Sequence, residues 1–406
     1  MIETNFIDTE IGCVPADWAV IELKNLIVYL RTGLNPRSNF KLNTTDARGY
    51  YVTVRELKGY DIVVDENTDR VNDDALLCID GRAKLKVNDI LFSGTGTIGQ
   101  TAIVKKLPYK WGIKEGIYAI TVDEKKLSPL FLLLYLHTPL AISLFDLYAS
   151  GSTIRSVPMS KMERLPVPLP PLPEQRRIAS ALSSIDNLIS ALDKLIEKKC
   201  AIKTGTMQEL LGGKRRVKGC EGEWKSVSID EICNRLDNLR IPISEVNRKH
   251  GTTPYYGANG IQDYVEGFTH NGEYILLAED GANSLVDYPI RYVSGKIWVN
   301  NHAHVLQAKE MRADNKFLSY AFKNVDFESN IVGCGRAKLN SQTLMQLKIV
   351  IPSSLSEQRA IASVLTAMDD ELAALEAKKA KYVALKQGMM QQLLTGKIRL
   401  IDSSAK

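Results

Sequence analysis

The chain of 406 residues is 45% hydrophobic and 24% charged, proportions typical of globular proteins. Its length exceeds one ordinary core and predicts two domains, and its start lacks the basic-then-apolar pattern of a secretory signal, so we expect a cytoplasmic protein. The net charge is +5, but its distribution argues against a uniformly basic nucleic-acid binder. Residues 1–165 are neutral overall and residues 218–350 carry a net charge of −1.

The first block, residues 1–165, mixes short β-like runs with turns. Runs rich in β-branched and aromatic residues predict strands at Tyr50–Val54, Ile90–Phe92, Thr101–Val104 and Ile117–Val122. The apolar stretch Leu127–Phe145 is interrupted well short of ~20 clean residues, so it predicts a buried helix rather than a membrane span. The acidic pair Asp73 and Asp74 has no partner motif of the nuclease type and predicts a solvated turn.

One segment of this block, FSGTGTIG at Phe92–Gly99, fits two cofactor fingerprints. It matches G-x-G-x-x-G and also the F-x-G-x-G loop of adenine-specific DNA methyltransferases. A dinucleotide site needs a helix directly after the glycine turn, and here the β-branched run Thr101–Val104 follows instead. A methyltransferase also needs an Asn/Asp/Ser-Pro-Pro-aromatic loop, and Pro170-Pro171 is followed by Leu172 in a linker. We therefore predict a strand-to-turn element and keep a methyltransferase as the competing hypothesis.

The most informative feature is an internal repeat. Glu174–Arg216 aligns without a gap on Glu357–Arg399, with 21 of 43 positions identical. Apolar residues recur at spacings of three and four in both copies, which is typical of a coiled-coil seam. They are Ile178, Leu182, Ile185, Ile189, Leu192 and Ile196, matched by Ile361, Leu365, Met368, Leu372 and Leu375. Prolines favour extended backbone up to Glu174 and glycines follow Leu211, so the first copy predicts a helix about 57 Å long.

The direction of the two helices follows from the chain connections. Residues 218–352 join the end of the first helix to the start of the second, and antiparallel packing brings those two points together. Weaker similarities, such as Phe131-Leu132 with Phe317-Leu318, extend the repeat to the blocks before each helix. We predict an α+β protein with two pseudo-two-fold-related α/β domains separated by a long antiparallel two-helix coiled coil. The alternative is that each helix packs on its own preceding block.

The second block repeats the α+β pattern. Asn259-Gly260 is a strong tight-turn signal, and strands are predicted at Tyr274–Leu277, Tyr288–Val293 and Ile297–Val299. Ile90–Gly96 of the first block matches Ile275–Gly281, so that only Gly96 is retained, as Gly281.

Two histidines of the second block, His302 and His304, are predicted to share one face of a strand. Hydrogen bonds to neighbouring groups or DNA are the favoured role. A metal site is the alternative, although no third ligand with suitable spacing is visible. We predict no catalytic, cofactor-binding or metal-binding residue in this chain.

Paired motifs frame the two repeated helices. The entries are LPVPLPPLPEQR at residues 165–176 and IPSSLSEQR at 351–359, and the exits are MQELL at 207–211 and MQQLL at 390–394. With YYGANG at 255–260 and WVNNHAHV at 298–305, this combination resembles the specificity subunit of type I restriction-modification systems over essentially the whole chain. The combination is specific because it requires the same motif twice at a fixed place.

The resemblance implies a non-catalytic subunit whose two target-recognition domains each read one half of a bipartite, asymmetric site on double-stranded DNA. It implies recognition domains at residues 1–165 and 218–352, and a central and a C-terminal conserved region with spacer helices at 166–217 and 353–406. Two modification (methyltransferase) subunits would dock on the helices, and restriction subunits, which are ATP-dependent translocases and nucleases, can join. S-adenosylmethionine, ATP and Mg would serve those partners, and none would bind this chain.

Hydrogen-bond donors and acceptors on exposed loops are the side chains that read base edges, and they select the DNA-binding candidates. The candidates are Arg37, Lys41, Arg48, Arg55, Arg82, Lys84, Arg155, Tyr255, Asn259, Asn283, Arg291, Asn301, His302, Arg336 and Lys338. The predicted helix-pairing residues are Ile178, Leu182, Ile185, Leu192, Ile361, Leu365, Met368 and Leu375. A third hypothesis, besides DNA reading and the methyltransferase, is a scaffold whose two domains bind proteins.

Overall fold

A computed structural model describes residues 5–36, 39–106, 110–330 and 338–401 of the protein. The chain divides into two compact units. Unit 1 comprises Met1–Leu192 together with Lys378–Lys406, and unit 2 comprises Asp193–Ala377. Unit 1 is therefore discontinuous in sequence.

Unit 1 begins with short strands and helices. Its strands are β1 (Phe6–Thr9), β2 (Gly12–Pro15), β3 (Ala19–Glu22), β4 (Ile27–Thr32), β5 (Gly49–Val52), β6 (Leu57–Lys58), β7 (Asp61–Ile62), β8 (Arg70–Val71), β9 (Ile90–Ser93), β10 (Thr101–Ile103), β11 (Trp111–Ile113), β12 (Ile117–Val122) and β13 (Pro166–Leu169). Its short helices are α1 (Asp73–Ala83), α2 (Pro129–Tyr135), α3 (Pro139–Tyr148) and α4 (Met159–Met162). The long helix α5 (Leu172–Leu211) follows and continues into unit 2.

Unit 2 has longer strands. They are β14 (Trp224–Ser228), β15 (Cys233–Arg235), β16 (His250–Gly257), β17 (Gly260–Val265), β18 (His270–Ala278), β19 (Ile290–Val299), β20 (Ala303–Ala308) and β21 (Lys348–Pro352). Its short helices are α6 (Ile229–Ile232), α7 (Asn315–Ala321) and α8 (Ser341–Gln346). The second long helix, α9 (Leu355–Leu393), begins in unit 2 and ends in unit 1.

The main sheet of unit 1 is antiparallel, in the order β10-β9-β12-β4. A smaller sheet, β11-β5-β8, shares a core with α1 through Tyr51 and Leu76. The main core of the unit is one apolar cluster that contains Phe131 of α2, Ile178 of α5 and Leu393 of α9. The ends of both long helices are therefore buried together with the first domain.

The sheet of unit 2 has the order β15-β20-β18-β19-β16-β17, in which only β16 and β19 are parallel neighbours among the described strands. Its core contains Phe317 of α7, Leu210 of α5 and Ile361 of α9. The pair β14–β21 next to this core matches the pair β3–β13 of unit 1, since both join the start of a domain to the strand before a long helix. The two units thus repeat one plan.

The repeated Glu-Gln pair explains how each long helix enters its domain. The Gln175 side-chain oxygen accepts a hydrogen bond from the backbone N–H of Ser128 at 2.8 Å. Gln358 accepts the equivalent bond from the backbone N–H of Asp314 at 2.9 Å. Both glutamines are fully buried, so each amide is held in place by the loop in front of the late helix of its domain.

Ion pairs join the two long helices within unit 1. The Arg399 guanidinium, just beyond the end of α9, makes two hydrogen bonds of 2.8 Å to the carboxylate of Glu174 in the first turn of α5. About three turns further along α5, the carboxylate of Asp186 lies 2.5 Å from Lys386 of α9. Residue numbers therefore rise along α5 as they fall along α9.

The same pairs recur in unit 2 with the helices exchanged. Arg216, beyond the end of α5, makes bonds of 2.5 and 2.7 Å to Glu357 in the first turn of α9. Lys203 of α5 pairs with Asp369 of α9. Each of these residues is the repeat equivalent of its counterpart in unit 1. The predicted α+β class and the antiparallel packing of the long helices are confirmed within each unit, and the pseudo-two-fold relation stays a prediction.

The predicted helix-pairing residues differ in burial. Ile178, Leu182, Ile185 and Leu192 are buried on α5 and Ile361 and Leu365 on α9, whereas Met368 and Leu375 are half-buried. Ile178 and Leu365 also belong to the cores of the adjoining domains, so the alternative packing on the preceding block describes part of the arrangement. The role of the eight residues in helix pairing stays a prediction.

The prediction that the acidic pair of the first block forms a solvated turn is wrong, because the pair begins a helix. Asn72 caps α1 by accepting a hydrogen bond from the backbone N–H of Ala75 at 3.0 Å, and Asp73 and Asp74 occupy the first turn. Carboxylates are favourable there because they face the positive end of the helix dipole. Asn72 followed by two acidic residues is a local helix-start signal in the sequence.

The apolar stretch Leu127–Phe145 forms two helices, not one. Helix α2 ends at Tyr135, Thr138 caps α3 by accepting a bond from the Ala141 N–H, and Pro139 occupies the first turn of α3. Among the described residues no single helix is long and apolar enough to cross a membrane; α2 and α3 pass that test only when joined, and they are bent by 73° at their junction.

Two boundaries also differ from the predictions. The strands predicted on either side of Gly295 are one strand, β19, because this glycine accommodates a φ of +87° without leaving the sheet. Helix α5 begins at Leu172 rather than Glu174, since Pro173 is tolerated in a first turn whose N–H groups have no partner within the helix.

Candidate nucleic-acid interface

Three connections between strands meet in unit 2 and carry half of its predicted DNA contacts. They are the turn at residues 258–259, the connection 279–289 and the turn at 300–302. The backbone N–H of Glu279 donates to the carbonyl of His302 at 2.8 Å, and that of Asn300 donates to Tyr256 at 3.0 Å. The second and third connections are therefore joined through their backbones, and the third is also bonded to β16.

Asn259 ties the first two connections together. Its side-chain nitrogen donates to the carbonyl of Gly281 at 2.9 Å, and its side-chain oxygen accepts from the backbone N–H of Asn283 at 2.9 Å. Arg291 donates to the Asn259 carbonyl at 3.1 Å. Three predicted residues, Asn259, Asn283 and Arg291, are thus brought together on an exposed surface. Because both polar atoms of the Asn259 amide are bonded within the protein, this side chain holds the two connections together.

His302 is held by a carboxylate. Its Nδ1 lies 2.6 Å from Oδ1 of Asp280, and its side chain is one-third exposed. The neighbouring candidates Asn301 and Lys338 are exposed, and Lys338 forms a β-bridge with Asp280. These candidates therefore border the same surface as Asn259.

A network of mostly half-buried charges supports this surface. Arg240 donates to Glu279 at 2.7 Å and to the carbonyl of Ala303 at 2.8 Å. Lys338 lies 3.1 Å from the second oxygen of Glu279. Burial by itself would raise the pKa of the Glu279 carboxyl, but the hydrogen bonds from Arg240 and Lys338 bring that pKa below its ordinary value. Sequence reasoning missed Arg240, because nothing in its local pattern marks it.

Asp237, Glu279 and His304 are close enough to form a metal-ligand set. His304, however, is bonded at both ring nitrogens, to Asp237 at 2.7 Å and to the carbonyl of Leu339 at 2.8 Å. With Arg240 and Lys338 beside Glu279, the carboxylates already have cationic partners. We therefore interpret the group as an ion-pair network, in which His304 has the hydrogen-bonding role predicted for it.

The FSGTGTIG segment of unit 1 occupies the same place as the Glu279 connection of unit 2. The N–H of Gly94 donates to the carbonyl of Gly116 at 2.8 Å, as that of Glu279 does to His302. Gly96 and Gly281 both have positive φ, +75° and +68°. No helix follows, because β10 begins at Thr101. The predicted strand-to-turn element is confirmed, with the predicted match of Gly96 to Gly281.

The two glycines of this segment should respond differently to substitution. A Cβ at Gly96 would meet nothing within 4 Å, so Gly96→Ala should cost about 1 kcal/mol of unfolding free energy, from the left-handed backbone alone. A Cβ at Gly94 would lie 2.3 Å from the buried ring of Tyr118, so Gly94→Ala should cost more. Thermal unfolding of both variants measures the difference; a larger loss at Gly96 would contradict this account of the turn.

The candidates of unit 1 are dispersed over two regions. Arg48 and Arg55 lie next to β8, through the bond from the Arg48 N–H to Val71 and the ion pair of Arg55 with Asp69 at 2.9 Å. Lys41 is exposed on the segment that leads to Arg48. Arg82 and Lys84 are exposed at the end of α1. The structure thus does not bring these cations together with the glycine turn.

Arg155 is the exception in unit 1. Its carbonyl accepts a bond from the N–H of Gly96 at 2.9 Å, and its guanidinium pairs with Asp146 at 3.1 Å. The bridge Thr95–Ser156 beside it corresponds to the bridge Asp280–Lys338 of unit 2. Arg155 therefore borders the glycine turn, next to Ser156, which has the place of Lys338 in unit 2.

The candidate Tyr255 is buried and does not lie on the surface formed by the three connections. It is 1% exposed, its hydroxyl is bonded to the backbone of Ile243, and Arg248 lies over its ring at 4.4 Å. An aromatic residue in a strand of alternating pattern packs in the core, which overrides the turn signal that follows it.

Arg37 and Arg336 lie outside the described residues. Sequence reasoning also missed Arg70, whose guanidinium stacks on Tyr50 at 3.9 Å.

Comparison with known proteins adds an independent observation. The family model described as type I restriction modification DNA specificity domain matches residues 15–199 and again residues 221–384. The chain belongs to this family. As in the sequence repeat, each DNA specificity match contains one domain and part of one long helix, which agrees with the resemblance found in the sequence.

Relatives of this DNA specificity family differ in how much they share. The chain is 24% identical over 452 residues to the type I restriction enzyme MjaVIII specificity subunit of Methanocaldococcus jannaschii, covering 98% of this chain and 97% of that protein. It is 46% identical over 152 residues to a candidate type I restriction enzyme specificity subunit of Haemophilus influenzae, which is 37% of this chain and 38% of that protein. The high identity is thus confined to little more than a third of either chain.

The fold is shared with a solved DNA specificity protein. The crystal structure of the type I restriction-modification system S subunit from M. genitalium matches 93% of this chain and 96% of its own, with a TM-score of 0.64 and 16% identity. At this identity the similarity concerns the fold.

Proposed function

We propose that the protein is the DNA-reading subunit of a type I restriction-modification complex and that each of its two domains reads one half of a bipartite, asymmetric site. One observation carries the proposal: both units place a strand-to-turn connection on the same backbone scaffold, in a chain matched twice by a DNA specificity domain. A duplicated scaffold with different side chains on it is suited to reading two different half-sites.

The strand-to-turn connections of the two units carry side chains of different chemical types. In unit 2 the connection carries Asn283, Asp280 and exposed Val286, with His302 beside it. In unit 1 the same place carries Thr95 and small residues, with Arg155 beside it. Amides, imidazole and guanidinium recognise different base edges, so the two half-sites should have different sequences.

We assign the chemistry of methylation and cleavage to partner subunits. Two modification subunits that use S-adenosylmethionine would dock on the long helices, and restriction subunits that use ATP and Mg would join them. Exposed apolar residues on these helices support the docking: Leu188 and Leu385 in unit 1, Leu195 and Ile202 in unit 2. The chain itself would have no catalytic role.

Exchange of one domain tests the proposal. Residues 1–165 are replaced by the corresponding domain of another specificity subunit, and adenine methylation is mapped in cells that also express the modification subunits. We expect a gapped two-part motif in which only one half changes, with the parent chain as control. A change in both halves, or a motif that does not depend on this chain, would refute the two-reader scheme. Methylation by the purified chain alone would favour the methyltransferase hypothesis instead.

A further inference from the structure

We propose that His302 reads a base amino group in the half-site of unit 2, and that Asp280 is the positioning residue that sets its hydrogen-bonding role. This inference rests on the proposed DNA-reading function and names one of its readers. In the major groove this role assigns His302 to adenine or cytosine rather than to guanine or thymine.

The contact with Asp280 determines which ring nitrogen carries the proton. Nδ1 of His302 lies 2.6 Å from Oδ1 of Asp280. An ionised carboxylate can only accept a hydrogen bond, so Nδ1 is the donor of this pair. In the neutral imidazole the other nitrogen, Nε2, is then an acceptor. The neutral ring therefore presents an acceptor to whatever approaches it.

The backbone fixes the position from which Nε2 acts. The N–H of His302 donates to the side-chain oxygen of Asn300 at 2.8 Å, and its carbonyl accepts from Glu279 at 2.8 Å. The imidazole is one-third exposed and Asp280 is 18% exposed, so the outer part of the ring is reachable while its partner is mostly covered. A side chain held at both backbone and ring loses little freedom on binding.

The base chemistry follows from an acceptor at this place. In the major groove the hydrogen-bond donors are the N6 amino group of adenine and the N4 amino group of cytosine, whereas guanine and thymine present acceptors. Nε2 of His302 can thus accept from adenine or cytosine and would be opposed by a lone pair of guanine or thymine. Both amino groups have the same chemistry, and experiment distinguishes them.

Removal of single amino groups from DNA tests the assignment. The complex with modification subunits binds duplexes containing its site, in which one adenine of the unit 2 half-site is replaced by purine, or one cytosine by 2-pyrimidinone. We expect one position at which this replacement weakens binding by the parent complex roughly tenfold. The His302→Ala complex should show no further loss at that position and ordinary losses elsewhere.

Two variants separate reading from folding. Asp280→Asn should weaken discrimination at the same position, because an amide can donate to Nδ1 and so move the ring proton to Nε2. Val246→Ala, at a fully exposed position outside the three connections, should leave that position unchanged. The inference is overturned if His302→Ala keeps the parent's sensitivity at every adenine and cytosine of the half-site. If the parent complex shows no sequence-selective binding at all, the proposed function itself fails.

Discussion

Replacing Glu174 by alanine should lower the free energy of unfolding by about 3–5 kcal/mol. The Glu174 side chain is fully buried, and it accepts two bonds from Arg399 and one from the backbone N–H of Leu400. Arg399 is only 8% exposed, so without Glu174 its charge is left poorly solvated, with Asp17 as its remaining partner. Thermal or urea unfolding of the full chain in complex with its partners measures the loss.

Glu357→Ala is the matched control, since Glu357 is the repeat equivalent in unit 2. Its partner Arg216 is 33% exposed and can be rehydrated when the carboxylate is removed. The expected loss is therefore smaller, about 1.5–3 kcal/mol, as for a hydrogen bond to a charged group. Equal losses for the two variants, or a larger one at Glu357, would show that burial of the arginine does not determine the cost.

Arg240→Met should destabilise unit 2 by about 3 kcal/mol and abolish reading of its half-site. The Arg240 side chain is 13% exposed and joins Glu279 to the carbonyl that follows His302. Methionine fills a similar volume, but it leaves Glu279 with only Lys338 and His304 beside it and removes the bonds from residue 240 to the carbonyls of Asn301 and Ala303. Methylation mapping should show the half-site of unit 2 degenerate and the other half unchanged, which a loss of both halves would contradict.

The pH dependence of this effect has a defined sign. In the folded parent the pKa values of Asp237 and Glu279 lie below their ordinary values of 3.8 and 4.5, because bonds from His304 and from Arg240 and Lys338 outweigh burial. Their stabilisation is thus complete above the unfolded pKa values and is lost as pH falls through the folded ones. The difference in stability between parent and Arg240→Met should be largest near pH 7 and shrink below about pH 5. A difference that is constant with pH would mean that charge is not its cause.

The long helices were predictable because their signals are repeated and local. The seam from Ile178 onward has a regular period, and the identity of Glu174–Arg216 with the second copy makes chance agreement implausible. The short elements were less predictable. Helix α1 has little apolar periodicity, and the break at Thr138 depends on a single capping side chain. Such signals compete with turn chemistry and are resolved only by packing.

The candidate site of unit 2 was partly predictable, since Asn, Arg and His on exposed turns are typical readers of bases. Its supporting charges were not. Arg240 is 39 residues from Glu279 and 63 from Ala303 in sequence, and only the fold brings them together. Tyr255 shows the opposite error, because its place beside a turn suggested exposure although its strand buries it. Burial cannot be inferred from the neighbouring residues when a strand ends at a tight turn.

The discontinuity of unit 1 sets an order of events during synthesis. Glu174 must wait for Arg399, 225 residues later, whereas Arg216 and Glu357 of unit 2 are 141 residues apart and belong to a continuous segment. Because domains of a nascent chain fold as their residues emerge, the contacts of unit 2 can form while the carboxylate of Glu174 still lacks its guanidinium. The domain that leaves the ribosome first is therefore the last to be completed. A chain that stops before Arg399 leaves the carboxylate of Glu174 without its guanidinium partner.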